Sequence, residues 1–118
     1  STGTIRKNPD ILYFKNDGVI DDIVDIQKKL LKKSWSFLNK GGQLMYCNCS
    51  LEIEEGELQI ENFLENNLDA KLEKISCAGL TDIKESRKKE GWLRILPHDS
   101  KKVKNKDGFF IALLKKKF

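Results

Sequence analysis

The sequence predicts an α/β fold, part of a sheet with helices on its faces. Three observations carry this. Residues 20–38 hold a helical apolar repeat, a Gly-Gly turn and a short apolar run follow at once, and a second apolar run, "GFFIALLKK", spans Gly108 to Lys116. Helix, glycine turn and strand form the second half of a βαβ crossover, the unit that builds α/β sheets. The pattern reads as starting in the middle of such a unit, with its first strand absent.

The elements follow in order. Residues 1–19 contain Gly3, Pro9 and Gly18 without a sustained period, and are expected to form an extended loop. Ile20, Ile23, Val24, Gln27, Leu30, Leu31, Trp35 and Leu38 then recur at helical spacing. Asp21, Asp22 and Asp25 load the start of that helix and lysines its end, as the helix dipole favours. Gln27 is the one polar residue in the stripe. "NKGG" stops the helix, and "QLMYCNC" reads as a buried strand. Glu54 to Asn66 is expected to be a second helix, with Ile60, Phe63 and Leu64 as its buried stripe and Glu54, Glu55 and Glu57 in its first turn. A weaker strand is placed at 70–77, and a long charged loop at 79–106 with one short strand at Leu93–Leu96. Gly108 to Lys116 is the last strand.

A chain of 118 residues suits one domain. No apolar run reaches the roughly 18 residues of a membrane span, and the polar start lacks the apolar core of a signal peptide. Lys and Arg number 22 against 18 Asp and Glu. The bases gather in patches such as "QKKLLKK" and "KKVKNK", which suit a polyanion or a plain solvated surface. The odd count of three cysteines, with no sign of secretion, fits reduced thiols in a cytosolic setting.

Two of those cysteines stand in "YCNCS", Tyr46 to Ser50. Three readings are open. Both thiols can be small buried hydrophobes, which suits Cys47 inside the apolar run and also Cys77. A zinc site would need Cys47, Cys49, Cys77 and His98, but the spacing departs from the usual pairs. A nucleophile is the third reading. If the strand ends at Cys47, then Cys49 falls in the strand-to-helix loop, where open α/β sheets place their active sites. The single histidine, His98, lies in a charged loop, so a Cys–His hydrolase is weakly supported.

"STGTIRKNPDI", "GGQLMYCNCSLEIEEGELQIENFL" and "LRILPHDS" with "DGFFIALLKK", in this order, together resemble the NOL1/NOP2/Sun family of RNA cytosine-C5 methyltransferases. "STGTIRKNPDI" resembles the stretch after that family's Pro-Cys motif. "GGQLMYCNCSLEIEEGELQIENFL" resembles its second cysteine motif, Tyr-x-Thr-Cys-Ser followed by two acids. "LRILPHDS" and "DGFFIALLKK" resemble its closing segment. The bacterial enzymes that methylate 16S ribosomal RNA, of the Sun/RsmB type, are the nearest in pattern. Asn48 stands where the family has Thr.

The resemblance implies the C-terminal half of a Rossmann-like class I methyltransferase sheet. Its last strands would lie near 43–47, 70–76 and 108–114, the last running antiparallel between the other two. Cys49 would be the nucleophile. Its thiolate would add to C6 of an unpaired or flipped-out cytosine, making C5 nucleophilic enough to take a methyl group from S-adenosylmethionine. Arg6 and Lys7 would touch RNA phosphates, and Phe110 would stack on a base. The partner Pro-Cys thiol and the cofactor loop would lie upstream of Ser1, so the chain alone would be inactive and hold no cofactor-binding residue. No metal ligand is assigned. The partner would be ribosomal RNA. The 43–47 strand would be an exposed edge through which the chain dimerises. The competing reading is a non-enzymatic basic RNA-binding module.

Overall fold

The computed structural model describes residues 17–75, 91–96 and 108–118. Within them the order is α1 (Asp17–Phe37), β1 (Gln43–Asn48), α2 (Glu57–Asn66), β2 (Ala70–Glu73), β3 (Leu93–Ile95) and β4 (Phe109–Lys116). Every predicted helix and strand in these segments is present.

Strand β4 organises the sheet. Strand β1 pairs antiparallel along one edge of it, from Gln43↔Lys115 to Asn48↔Phe110. Strands β2 and β3 share the other edge, with Leu72↔Leu114 and Arg94↔Phe110. The order β1-β4-β2 puts the last strand antiparallel between the other two, as the family resemblance implied.

Alternation along the strands sorts the residues. Leu44, Tyr46, Leu72, Phe110, Ala112 and Leu114 share one face and pack with Leu31 and Trp35 of α1 and Ile60 and Phe63 of α2. Phe110, Ala112 and Leu114 are fully buried there. Gln43, Met45 and Cys47 point to the opposite face of β1, where no described helix packs. Strand β1 therefore alternates between exposed and half-buried residues instead of being buried throughout. Helix α1 shows the same economy. Leu31 and Trp35 are buried, but Leu30, expected in the apolar stripe, is 61% exposed on its flank.

Helix α1 ends where the glycines predict. Gly41 takes φ +81°, a left-handed conformation that suits glycine. A Cβ on Gly42 would come within 2.8 Å of the Leu38 side chain. The turn is tied to β4 by hydrogen bonds from Gly41 N to Lys116 O and from Lys116 N to Gly42 O. Lys116 Nζ also donates to the Trp35 and Leu38 carbonyls, at 3.3 and 3.1 Å. A cation so placed satisfies carbonyls that the helix leaves over.

Helix α2 begins at Glu57, later than the sequence predicts. Residues 53–56 form turns, and only Glu57 of the three acids lies in the first helical turn. Glu55 is instead drawn inward, for a reason that belongs to the site.

Candidate active site

Strand β1 ends at Asn48, so Cys49 is the first residue of the loop that leads to α2. It lies at the C-terminal end of the strand, half-buried and free. Cys47 is also free but exposed, not packed in the core as expected. The cause is the period of the strand: Cys47 falls on the face that the two helices do not cover.

Residues 49–56 form no helix or strand, and side chains set their course. Asn48 opens the loop. Its Oδ1 accepts from Ser50 N at 3.1 Å, an Asx turn around Cys49. Its Nδ2 donates to Glu55 O at 2.8 Å and to the Tyr46 hydroxyl at 3.3 Å. The Tyr46 hydroxyl in turn donates to Glu55 O at 2.6 Å. Burial pushes the Tyr46 phenol up to about 12, and the nearby Glu55 charge adds to the effect. The hydroxyl therefore stays protonated and remains a donor.

Ser50 is 1% exposed and Glu55 3%. Ser50 Oγ donates to Glu55 Oε2 at 2.5 Å and accepts from Glu52 N at 3.0 Å. The other Glu55 oxygen accepts from Gln27 Nε2 of α1 at 3.0 Å. Buried carboxylates require such partners. This is why Glu55 leaves the start of α2, and it accounts for the polar residue in the apolar stripe of α1.

Arg94 closes the loop from β3. Its Nη1 donates to Ser50 O. Its Nε and Nη2 meet the two Glu57 oxygens at 2.8 and 2.7 Å, a bidentate pair. The guanidinium lies over the Phe110 ring, 4.8 Å from its centroid. Gly56 makes this possible, since a Cβ there would collide with Arg94 Nη2 and sit 2.9 Å from Phe110.

Cys49 thus stands in the strand-to-helix loop, the placement that a strand ending before it requires. Phe110 does not match its expected role. It is 0% exposed, with Tyr46, Trp92 and Arg94 around its ring, and offers no face to a base. It is a core residue because its strand position points toward the helices. Gly108 is buried and Phe109 half-buried. Arg6, Lys7, Cys77, His98 and Asp107 lie outside the described residues. Sequence reasoning missed Arg94, Glu55, Gln27 and Tyr46 as supports of the site. Gln27, polar inside an apolar repeat, and Arg94, a cation inside the predicted short strand, were the available signals.

The two larger clefts of the described residues do not fit S-adenosylmethionine. A cleft of about 370 Å³ between α1 and α2 is lined by Lys28, Lys32, Asn62, Asn66 and their neighbours, with no carboxylate for ribose hydroxyls. A second, along α2, has Glu54, Glu61 and Glu65 but no glycine turn for close backbone approach. No described helix is long and apolar enough to cross a membrane.

Residues 1–115 match the family model described as 16S rRNA methyltransferase RsmB/F. The chain is 39% identical over 118 residues to the ribosomal RNA small subunit methyltransferase B of Pasteurella multocida, covering 98% of this chain and 24% of that protein. It thus spans about a quarter of the length of this curated relative. Among solved structures it resembles PH0851, with a TM-score of 0.82 at 32% identity over 98% of this chain and 24% of that one. It also resembles a methyltransferase homolog protein from Pyrococcus horikoshii, with a TM-score of 0.69 at 32% identity over 86% of this chain and 33% of that one. The mixed sheet and its two helices are a portion of a Rossmann-like methyltransferase fold. The chain belongs to the 16S rRNA methyltransferase RsmB/F family.

Proposed function

We propose that this chain carries the nucleophile of an rRNA (cytosine-C5)-methyltransferase, and that Cys49 is that nucleophile. The observation that carries the reading is the placement of Cys49: half-buried, directly after β1, in a loop whose course is set by buried hydrogen bonds. The Cys49 thiolate adds to C6 of cytosine, forming a C–S bond and leaving an electron-rich C5. After C5 has gained its methyl group and lost its proton, the C–S bond breaks and the thiolate is released. S-adenosylmethionine supplies the methyl group, and its pocket belongs to the remainder of the full-length enzyme. Arg6 and Lys7 remain candidates for phosphate contact by charge. The substrate is ribosomal RNA, and the setting is the cytoplasm.

In the full-length enzyme, Cys49→Ala is expected to abolish both methylation and the covalent RNA adduct. An active Cys49→Ala enzyme would rule the nucleophile out. The isolated chain is expected neither to methylate RNA nor to bind S-adenosylmethionine tightly, and calorimetry showing micromolar cofactor binding would overturn that.

The outer edge of β1 supports self-association of the isolated chain. Among the described residues β1 pairs only with β4, and Met45 on it is 60% exposed. Open strand edges recruit other strands. Light scattering is expected to show a dimer or larger species, and a monomeric mass at high concentration would count against it.

A further inference from the structure

The loop that holds Cys49 is fastened from a strand that lies 44 residues further along the chain. Arg94 is 6% exposed, so its charge is largely removed from water. A charge so placed must be paired and hydrogen-bonded. Its fork does three things at once. It grips both Glu57 oxygens, it reaches Ser50 O, and its Nη2 points toward Glu52 O at 3.4 Å. The Phe110 ring backs it and Gly56 leaves it room. Ser50 O lies one residue past Cys49. The guanidinium therefore ties Ser50, the residue after Cys49, to both β3 and the first turn of α2.

We propose that Arg94 and Glu57 form a clasp that positions Cys49 for attack on the pyrimidine. This rests on the reading of Cys49 as nucleophile. Both are positioning residues and act through the Ser50 peptide. The requirement is for arginine rather than any cation. A lysine ammonium is a point charge and cannot span two carboxylate oxygens and a carbonyl in one plane. Without the fork the loop keeps its tethers through Asn48 and Glu55 but loses the hydrogen bond from Arg94 to Ser50 O. A displacement of about 1 Å at a reacting atom lowers rates by on the order of 100-fold.

The test uses the full-length enzyme and 16S ribosomal RNA lacking the modification. Three variants are compared: Arg94→Lys, Glu57→Gln and Cys49→Ala. The clasp predicts that Arg94→Lys lowers kcat by roughly 10- to 100-fold with KM for RNA little changed. Glu57→Gln, which keeps one acceptor oxygen, should lose less, and the pH dependence of kcat should keep its shape in both. Activity is read well below the melting temperature of each variant. If Arg94→Lys and Glu57→Gln keep the parent kcat while Cys49→Ala is dead, the clasp falls and the nucleophile stands. If Cys49→Ala is active, the nucleophile reading falls first. If kcat falls only in proportion to the unfolded fraction, Arg94 merely supports the fold and the positioning role is overturned.

Discussion

At the end of the sheet where β4 finishes, Trp35 meets Phe63 edge-on with centroids 5.2 Å apart, and its indole Nε1 donates to Asp69 at 3.1 Å. Lys116 covers the last carbonyls of α1 there. At the opposite end, beside Cys49, the same sheet is held by Tyr46, Asn48, Ser50, Glu55, Glu57 and Arg94. The first end is mostly apolar packing with polar groups at its margin. The second is a polar network pressed against one apolar wall, Phe110. Packing is non-directional and yields by degrees as volume changes. A buried network loses a partner abruptly, because the group left behind stays desolvated. The molecule thus keeps its tolerant chemistry away from the loop that carries Cys49.

The two buried tryptophans report the contrast separately, since Trp35 sits at the first end and Trp92 packs on Phe110 at the second. The largest effect is expected from Phe110→Ala, which removes the wall behind the network. It should cost about 3–5 kcal/mol in urea unfolding followed by fluorescence, with the Trp92 signal changing before that of Trp35. Coincident transitions would show that the two ends are one cooperative unit. Gly56→Ala is expected to cost about 1–3 kcal/mol by overpacking, because its Cβ meets Arg94 and Phe110 together. An unchanged urea midpoint would mean that the loop gives way easily. Tyr46→Phe is the smallest, at about 1 kcal/mol for a lost hydrogen bond. It also carries a pH signature. The folded phenol is raised to about 12 from 10. Below pH 10 both states are protonated and the contribution is complete. Between pH 10 and about 12 only the unfolded state ionises, so stability falls across that window. Denaturation as a function of pH should show this component in the parent and not in Tyr46→Phe.

The residues that sequence reading located well are those whose role depends on near neighbours in the chain. Leu31 and Trp35 recur at helical spacing, Gly41 and Gly42 stop the helix, and the run from Phe109 to Lys116 has no charge until its last two positions. The apolar run around Cys49 follows from the sequence, while the end of the strand at Asn48, which puts Cys49 in the loop, comes from the structure. Residues that were misjudged depend on what lies across space. Cys47 and Phe110 both sit in predicted strands, and which of them is buried turns on which face the helices cover. Glu55 looks like a dipole charge until Gln27 and Ser50 are seen around it.

By itself the sequence determined the order of helices and strands, their approximate bounds and the family motif that singles out Cys49. These rest on periodicity and local backbone preference, which act over a few residues. Only the tertiary structure decided which strand face is core, why Phe110 cannot meet a base, and how Arg94 and Glu57 fasten the loop. Those are contacts between residues on different elements of the chain, such as Arg94 and Glu57 at a separation of 37. Burial and hydrogen-bond partners at that range are set by how elements pack, which no local pattern encodes.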